Sequence, residues 1–417
     1  MFDELNNLLQ KYPNHVTIWI AYSGGVDSHV LLHAVCEWRK QYLNRTIHAV
    51  HVHHGLQADA DKWVTHCDQV CQALQVGCTI LYVDIEKTAK QSMEAEARKA
   101  RYNALATLMQ AGDVLLTAQH QDDQAETCLL QFLRGAGARG LAAMPQIMPF
   151  SRGYLVRPLI SISKQEILDY AKEHQLRWVE DSTNLDEQFT RNFLRARIMP
   201  LLKSRWPNVP ETIARVAAHS AETKNLLEDL AQTDLQQVKS EYGLSVQRLR
   251  ALSCARQKNL LRYWFYQQDY LLPSTIKLQH IINDVVMARE DATPCVQWSD
   301  VEVRRFGDDL YVMPVRDRHD VSVEYSWDGV EPLHVKTGVL ICQGARRNMT
   351  VRFRRGGEVC RLRGRTGTHE LKKLFQEWQV PPWERDRVPL IFVDGQLAAI
   401  VGCAVCEGYE ELSFQWT

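Results

Sequence analysis

The chain lacks a long apolar run, a regular cysteine framework and any sizeable net charge, and each absence excludes a class of protein. No stretch reaches the roughly 18 consecutive apolar residues that a membrane-crossing helix needs. Met1-Phe2-Asp3-Glu4 does not open like a secretory signal, so a cytoplasmic protein without a membrane partner is expected. The 11 cysteines, an odd number, are scattered, which predicts reduced thiols rather than disulfides. Cys67 and Cys71 fall on a predicted helix as packing residues. Cys403-x-x-Cys406 has a metal-like spacing, but no second pair lies near it to complete four ligands. A net charge of −1 removes the signature of a generally basic nucleic-acid binder, yet the average hides an asymmetry. Between residues 345 and 387, 12 Lys/Arg stand against 5 Asp/Glu, a patch suited to a polyanion or to a solvated face. The phosphate-loop pattern G-x-x-x-x-G-K-[ST] is missing as well, with no lysine between Gly24 and Val35.

What is present has the composition of an ordinary globular protein. Its 417 residues, 45% hydrophobic and 24% charged, are enough for two or three domains. The informative stretch is residues 16–40. An apolar run at 16–22, short enough for a buried strand, leads directly into Ser23-Gly24-Gly25-Val26-Asp27-Ser28 and then into a helical pattern with Val30, Leu31, Ala34 and Val35 on one side. Strand, glycine turn and helix form an anion-binding layout. The glycines let backbone N–H groups approach a phosphate, and the helix N-terminus adds a favourable dipole. Ser23 and Ser28 can donate hydroxyl hydrogen bonds, whereas Asp27 is suited to a divalent cation. The stretch resembles the pyrophosphate loop of the N-type ATP pyrophosphatases, which split ATP between its α and β phosphates.

Downstream, predicted strands at 46–52, 78–83 and 113–118 alternate with predicted helices at 59–74, 92–109 and 123–133. This alternation predicts an α/β domain with a doubly wound, mostly parallel sheet. Ligands bind at the carboxyl ends of such strands, where His51-Val52-His53-His54 and His120-Gln121-Asp122-Asp123-Gln124-Ala125-Glu126-Thr127 lie. Asp27, Asp122 and Asp123 are hard-oxygen candidates for Mg²⁺. Arg98 and Arg101 share a helix face, and Arg134 and Arg139 flank a glycine segment. Arg191, Asn192 and Arg195 follow a polar stretch, the two arginines one turn apart like a two-pronged phosphate grip. Ser163-Lys164-Gln165-Glu166 reads as a helix-opening capping box, and hence as structural. Residues 205–315 become mainly helical, with short strands near 301–306 and 309–313; 316–329 is hydrophilic. The last part returns to short strands carrying Arg354, Arg355, Lys372, Lys373 and Arg385.

The succession Ser-Gly-Gly-Val-Asp-Ser, His-Val-His-His-Gly-Leu, Asp-Asp-Gln-Ala-Glu-Thr, Leu-Arg-Gly-Ala-Gly-Ala-Arg-Gly-Leu, Arg-Pro-Leu, Glu-Asp-Ser-Thr-Asn and Arg-Asn-Phe-Leu-Arg resembles the bacterial tRNA(Ile)-lysidine synthetases. The C-terminal Arg-Arg-Gly-Gly-Glu, Leu-Lys-Lys-Leu-Phe and Pro-Pro-Trp-x-Arg-Asp extend the resemblance to the far end. His53, where the family usually has asparagine, and Gln119, in place of the first of a histidine pair, depart from it. The resemblance implies a catalytic domain at 1–205, a helical tRNA-contacting domain at 206–315, a linker at 316–330 and a small basic α+β tRNA-binding domain at 331–417. It implies a ligase that forms a carbon–nitrogen bond between free L-lysine and the wobble cytidine of isoleucine tRNA with a CAU anticodon. ATP and Mg²⁺ are the implied cofactors. Ser23, Gly24, Gly25, Val26, Asp27, Ser28, His54 and His120 are expected at the nucleotide, with Asp27 and Asp123 at the metal. Asp27, Asp122, Asp123 and Glu126 are expected to carry the chemistry. Arg98, Arg101, Arg134, Arg139, Arg191, Asn192, Arg195, Arg354, Arg355, Lys372, Lys373 and Arg385 are expected to meet the substrates. No heptad seam is visible, and a monomer or homodimer is expected. A tRNA thiolase of the same loop class, or an RNA-binding protein with ATP as a structural ligand, are the alternatives. Cys36, Cys67 and Cys128 on predicted helices argue against the thiolase.

Overall fold

The computed structural model describes residues 2–42, 44–53, 60–83, 93–180, 186–289, 292–317, 319–344 and 347–416. They form two compact units, Met1–Leu227 and Glu228–Thr417. The first unit contains strands β1 (Thr17–Ala21), β2 (Thr46–His53), β3 (Gly77–Tyr82), β4 (Val114–Leu116), β5 (Ile147–Phe150) and β6 (Gly153–Val156). Its helices are α1 (Phe2–Leu9), α2 (Val26–Arg39), α3 (Ala60–Ala73), α4 (Met93–Leu108), α5 (Gln121–Leu133), α6 (Ala138–Leu141) and α7 (Lys164–Glu173). Then come α8 (Thr190–Phe193), a wider π-type turn (Leu194–Ile198), α9 (Met199–Arg205) and the long α10 (Val209–Val238), whose residues from Glu228 onward belong to the second unit.

The sheet order is β3-β2-β1-β4-β6-β5, parallel throughout except for the β5–β6 hairpin. Side chains alternate between two cores because successive strand residues face opposite ways. Ile18, Ile20, Val114, Leu116 and Val156 point into the larger core with Val30, Leu31, Val35 and Ile167. Trp19, Ala21, Leu115 and Leu155 point the other way, against Leu105, Tyr102 and Met109. The sheet is therefore covered on both faces, as the alternating sequence pattern predicts. The chain steps outward from β1 to β2 and β3, then returns to β4 on the other side of β1. That reversal opens a crevice at the carboxyl ends of β1 and β4, the usual ligand position in such sheets.

At the opposite ends, the buried Asp113 carboxylate accepts hydrogen bonds from the N–H groups of Thr17 (2.9 Å), Gln110 (3.0 Å) and the Trp19 indole (3.1 Å). Gly153 passes so close to Asp113 that a Cβ would lie 2.0 Å from the Asp113 carbonyl oxygen. No other residue fits there.

The second unit begins with helices packed on a small antiparallel sheet. Leu249, Leu260, Phe265, Ile281 and Val285 form that core with Val301, Val303 and Leu310. A β-rich C-terminal part follows, around a five-stranded sheet and the helix Leu371–Glu377. This architecture is the expected one. Within residues 316–330, expected as a linker, Tyr325–Trp327 is a strand paired with Met349–Val351, because Trp327 is buried in the core beneath it. The expectation that every cysteine is a free thiol is corrected. Cys360 and Cys406, both buried, form a disulfide, 46 residues apart in sequence but brought together by folding of the C-terminal sheet. Cys403 remains free. Among the described residues no helix is long and apolar enough to cross a membrane.

Candidate active site

The glycine turn after β1 is held by its own hydroxyls. Ser28 Oγ donates to the Gly25 carbonyl (2.9 Å) and accepts from the Ser23 N–H (3.2 Å), with Ser23 Oγ at 3.1 Å. Since the Ser28 proton is committed to Gly25, Ser23 Oγ donates to Ser28. Gly24 has φ +85°, in the region that favours glycine, and a Cβ there would lie 3.3 Å from Cys67 Sγ. Gly25 caps α2 without a side chain, leaving the first-turn N–H groups of that helix available to an anion.

Asp27, in that first turn, projects toward α5, whose N-terminus lies across the crevice. The buried His120 ring stands between the carboxylates. Its Nε2 is 3.8 Å from Asp27 Oδ2 and 3.4 Å from Asp123 Oδ2, and its Nδ1 is 4.0 Å from Asp122 Oδ2. The loop from β4 into α5 therefore brings His120, Asp122 and Asp123 to Asp27, as the strand-end pattern predicts.

Each carboxylate meets a cation. Lys164 Nζ donates to Asp27 Oδ1, while the Lys164 N–H donates to Asp122 Oδ2 at 3.0 Å. Lys203 Nζ donates to Asp122 Oδ1 at 2.5 Å. Burial alone would raise the Asp122 pKa, but these two hydrogen bonds and the Lys203 charge bring it below the ordinary aspartate value. Glu126, almost fully buried, accepts from Arg191 Nε (2.9 Å), Arg195 Nε (2.7 Å) and Arg195 Nη2 (2.8 Å). Arg195 Nη2 also reaches Asp123 Oδ1 at 2.9 Å, and Arg191 Nη2 donates to the Asp123 carbonyl at 3.2 Å. Burial would lower the Arg195 pKa; the Glu126, Asp123 and Asp27 charges outweigh it and raise it. Both arginines thus face α5 from α8 and the π-type turn, with their guanidiniums directed at carboxylates.

Lys164 and Lys203 escape sequence reasoning. Ser163 and Glu166 do form the predicted capping box, with the Glu166 N–H donating to Ser163 Oγ (3.2 Å) and the Ser163 N–H to Glu166 Oε2 (2.9 Å). The signal available was position: Lys164 follows β6, a strand parallel to β4, so its loop reaches the same edge. Lys203 had no such signal, because its meeting with Asp122 spans 81 residues.

A PP-loop domain model matches residues 2–202, a TilS substrate binding domain model residues 244–311, and a TilS substrate C-terminal domain model residues 349–416. A tRNA(Ile)-lysidine synthase of Coxiella burnetii is 42% identical, over 99% of this chain and 95% of that protein. One of Escherichia coli O157:H7 is 40% identical, over 96% of each. The chain belongs to the tRNA(Ile)-lysidine synthase family. Among solved structures, a U34-tRNA thiolase from Methanococcus maripaludis with its [4Fe-4S] cluster is 16% identical, with a TM-score of 0.46 over 53% of this chain and 77% of that one.

The remaining residues singled out in this lysidine synthase family member have local settings of their own. Arg98 stacks over the Tyr102 ring at 5.0 Å on α4, with Arg101 exposed beside it. Arg134 and Arg139 are exposed at the end of α5 and in α6. Asn192 Nδ2 donates to the Asp186 carbonyl at 3.0 Å. In the second unit, Arg354 reaches Asp386 at 3.2 Å, Arg355 holds Glu324 and two backbone carbonyls, and Arg385 donates to the Val380 carbonyl. Lys372 and Lys373 are exposed on one short helix. His53 packs 5.0 Å from the Tyr82 ring, and Gln119 accepts from Thr117 Oγ1 at 2.5 Å. His54 and residues 181–185 lie outside the described residues.

Proposed function

We propose that the chain is an ATP-dependent ligase that joins free lysine to C2 of the wobble cytidine in isoleucine tRNA with a CAU anticodon, giving lysidine, AMP and pyrophosphate. The observation that carries this reading is the meeting of an uncapped glycine turn at α2 with four ion-paired carboxylates, in a member of this family. ATP binds at the glycine turn, with Ser23, Gly24, Gly25, Val26 and Ser28 around its phosphates and His120 close by. The cytidine C2 oxygen attacks the α-phosphorus and pyrophosphate departs; lysine then attacks C2 and AMP departs. Free lysine carries an ammonium with a pKa of roughly 10.4, so it must lose a proton before attack. One carboxylate among Asp122, Asp123 and Glu126 orients it and accepts that proton.

Asp27 and Asp123 fit a hard divalent cation, since their oxygens flank the same edge of the His120 ring. No group of three or more metal-ligating side chains forms among the described residues. Mg²⁺ here would complete its shell with phosphate oxygens and water, which is its usual habit, and would supply charge neutralisation at the phosphates. The basic residues Arg354, Arg355, Lys372, Lys373 and Arg385 would give phosphate contacts that position the tRNA. The division at 1–205, 206–315, 316–330 and 331–417 is proposed to separate chemistry from tRNA contact.

The thiolase reading needs a thiolate near the cytidine. Burial pushes the Cys36 thiol up to about 11 and the Cys67 thiol up to about 12, which disfavours sulfur transfer through either. Incorporation of labelled lysine into bulk bacterial tRNA, with and without ATP, tests the proposal. ATP-dependent labelling that is lost in Asp27→Ala and Asp123→Ala is expected. No labelling by a folded, tRNA-binding protein would overturn it.

A further inference from the structure

Four carboxylates at the crevice, Asp27, Asp122, Asp123 and Glu126, are matched by four cations, Lys164, Lys203, Arg191 and Arg195. These four side-chain cations are all paired, so one of them meets a triphosphate only when an internal pair exchanges. The exposures decide which. The carboxylate side chain of Glu126 is 3% exposed, Asp122 13% and Asp123 16%, but Asp27 is 31% exposed and its partner Lys164 34%. The Asp27–Lys164 pair also has one ammonium on one oxygen, whereas Glu126 is gripped by two guanidiniums. Lys203 is worse placed, because its Asp122 lies at the Nδ1 side of the His120 ring while Asp27 lies at the Nε2 side.

Lys164 is moreover fixed at its main chain, through the N–H to Asp122, while its ammonium is half-exposed beside the first turn of α2. A four-carbon stem on a fixed root can swing from a carboxylate to a phosphate without moving the backbone. Resting on the adenylation proposed above, we propose that Lys164 is a catalytic cation that leaves Asp27 when the nucleotide binds and receives the departing pyrophosphate. In that step the C2 oxygen–phosphorus bond forms and the bond from the α-phosphorus to the α,β-bridging oxygen breaks. The electron pair goes to the pyrophosphate, and the Lys164 ammonium hydrogen-bonds the oxygen that gains the charge.

The test is adenylation of isoleucine tRNA by the full chain, with lysine omitted. ATP is compared with its β,γ-methylene and β,γ-difluoromethylene analogues, whose leaving groups differ in basicity. Loss of one preorganised donor to a developing charge costs about 10²–10³ in rate, and that loss in kcat is expected for Lys164→Met. Lys164→Arg should recover most of it. The decisive readout is the rate ratio of difluoromethylene to methylene analogue, which should rise in Lys164→Met because the poorer leaving group suffers more without its cation. A merely structural role slows both analogues alike, so an unchanged ratio overturns the proposal, as does an unchanged kcat. Lys164→Gln carries the same comparison if the methionine variant fails to fold. Wild-type protein that releases no leaving group with tRNA from any of the three nucleotides would instead refute the ligase reading itself.

Discussion

Replacing Glu126 with glutamine keeps its shape and removes its charge from beneath two arginines. The side chain is 3% exposed and accepts three charge-assisted hydrogen bonds at 2.7–2.9 Å. Breaking a buried ion pair by removing one partner costs about 3–5 kcal/mol, since the other charge is left uncompensated. Two features reduce that here. Arg195 and Arg191 side chains are 44% and 27% exposed, so water reaches them, and both retain Asp123 as a partner. The amide also keeps one acceptor oxygen while turning its donors toward guanidinium N–H groups. A net loss of about 2–4 kcal/mol is expected, which in a domain of this size lowers Tm by roughly 5–15 °C. Urea unfolding followed by hydrogen exchange of the α5 amides measures it locally. A Glu126→Gln/Arg195→Gln double-mutant cycle should show coupling of about 1–3 kcal/mol. A Glu126→Gln loss below about 0.5 kcal/mol would refute the reasoning, because Asp123 and water would then satisfy both arginines alone.

Gly153→Ala places a methyl group against the Asp113 carbonyl and should destabilise the first unit by more than about 2 kcal/mol, read as a lower urea midpoint; an unchanged midpoint would show that β6 shifts freely. The Asp122 pKa is lower in the folded chain than its unfolded value of about 3.9, so Asp122 adds stability above that value which is lost as pH falls through the folded value. Asp122→Asn should flatten that acid limb, and an identical limb in the variant would remove Asp122 as its source. Arg354→Ala/Arg355→Ala should weaken tRNA binding and reduce the salt slope of log K by about one to two, measured by filter binding across ionic strengths. An unchanged slope would leave the basic face as a bystander.

The sheet was legible because alternating periods of two and 3.6 need only local sequence, and the glycine turn announced its own position at the end of β1. The carboxylates were legible for the same reason, since they follow β4. What periodicity cannot see is a partner. Arg191 and Arg195 read as a phosphate grip from their spacing, but their meeting with Glu126 spans 65 and 69 residues and depends on how α8 packs on α5. Lys164 lies inside a capping box, a local pattern that fixes its backbone but carries no information on where its side chain reaches. Cys360 and Cys406 are 46 residues apart, whereas local spacing pairs Cys406 with Cys403.

That disulfide has a further use. Both sulfurs are sealed in a core with Leu371, Phe375 and Leu390, so a reductant in solution has no route to them while that core is closed. The bond therefore acts as a latch readable only from inside. Its rate of reduction by a small thiol, extrapolated to high thiol concentration, times the spontaneous opening of the C-terminal part. Bound tRNA that clamps this part would slow the same clock, which turns a pair of cysteines remote from the chemistry into a gauge of substrate engagement.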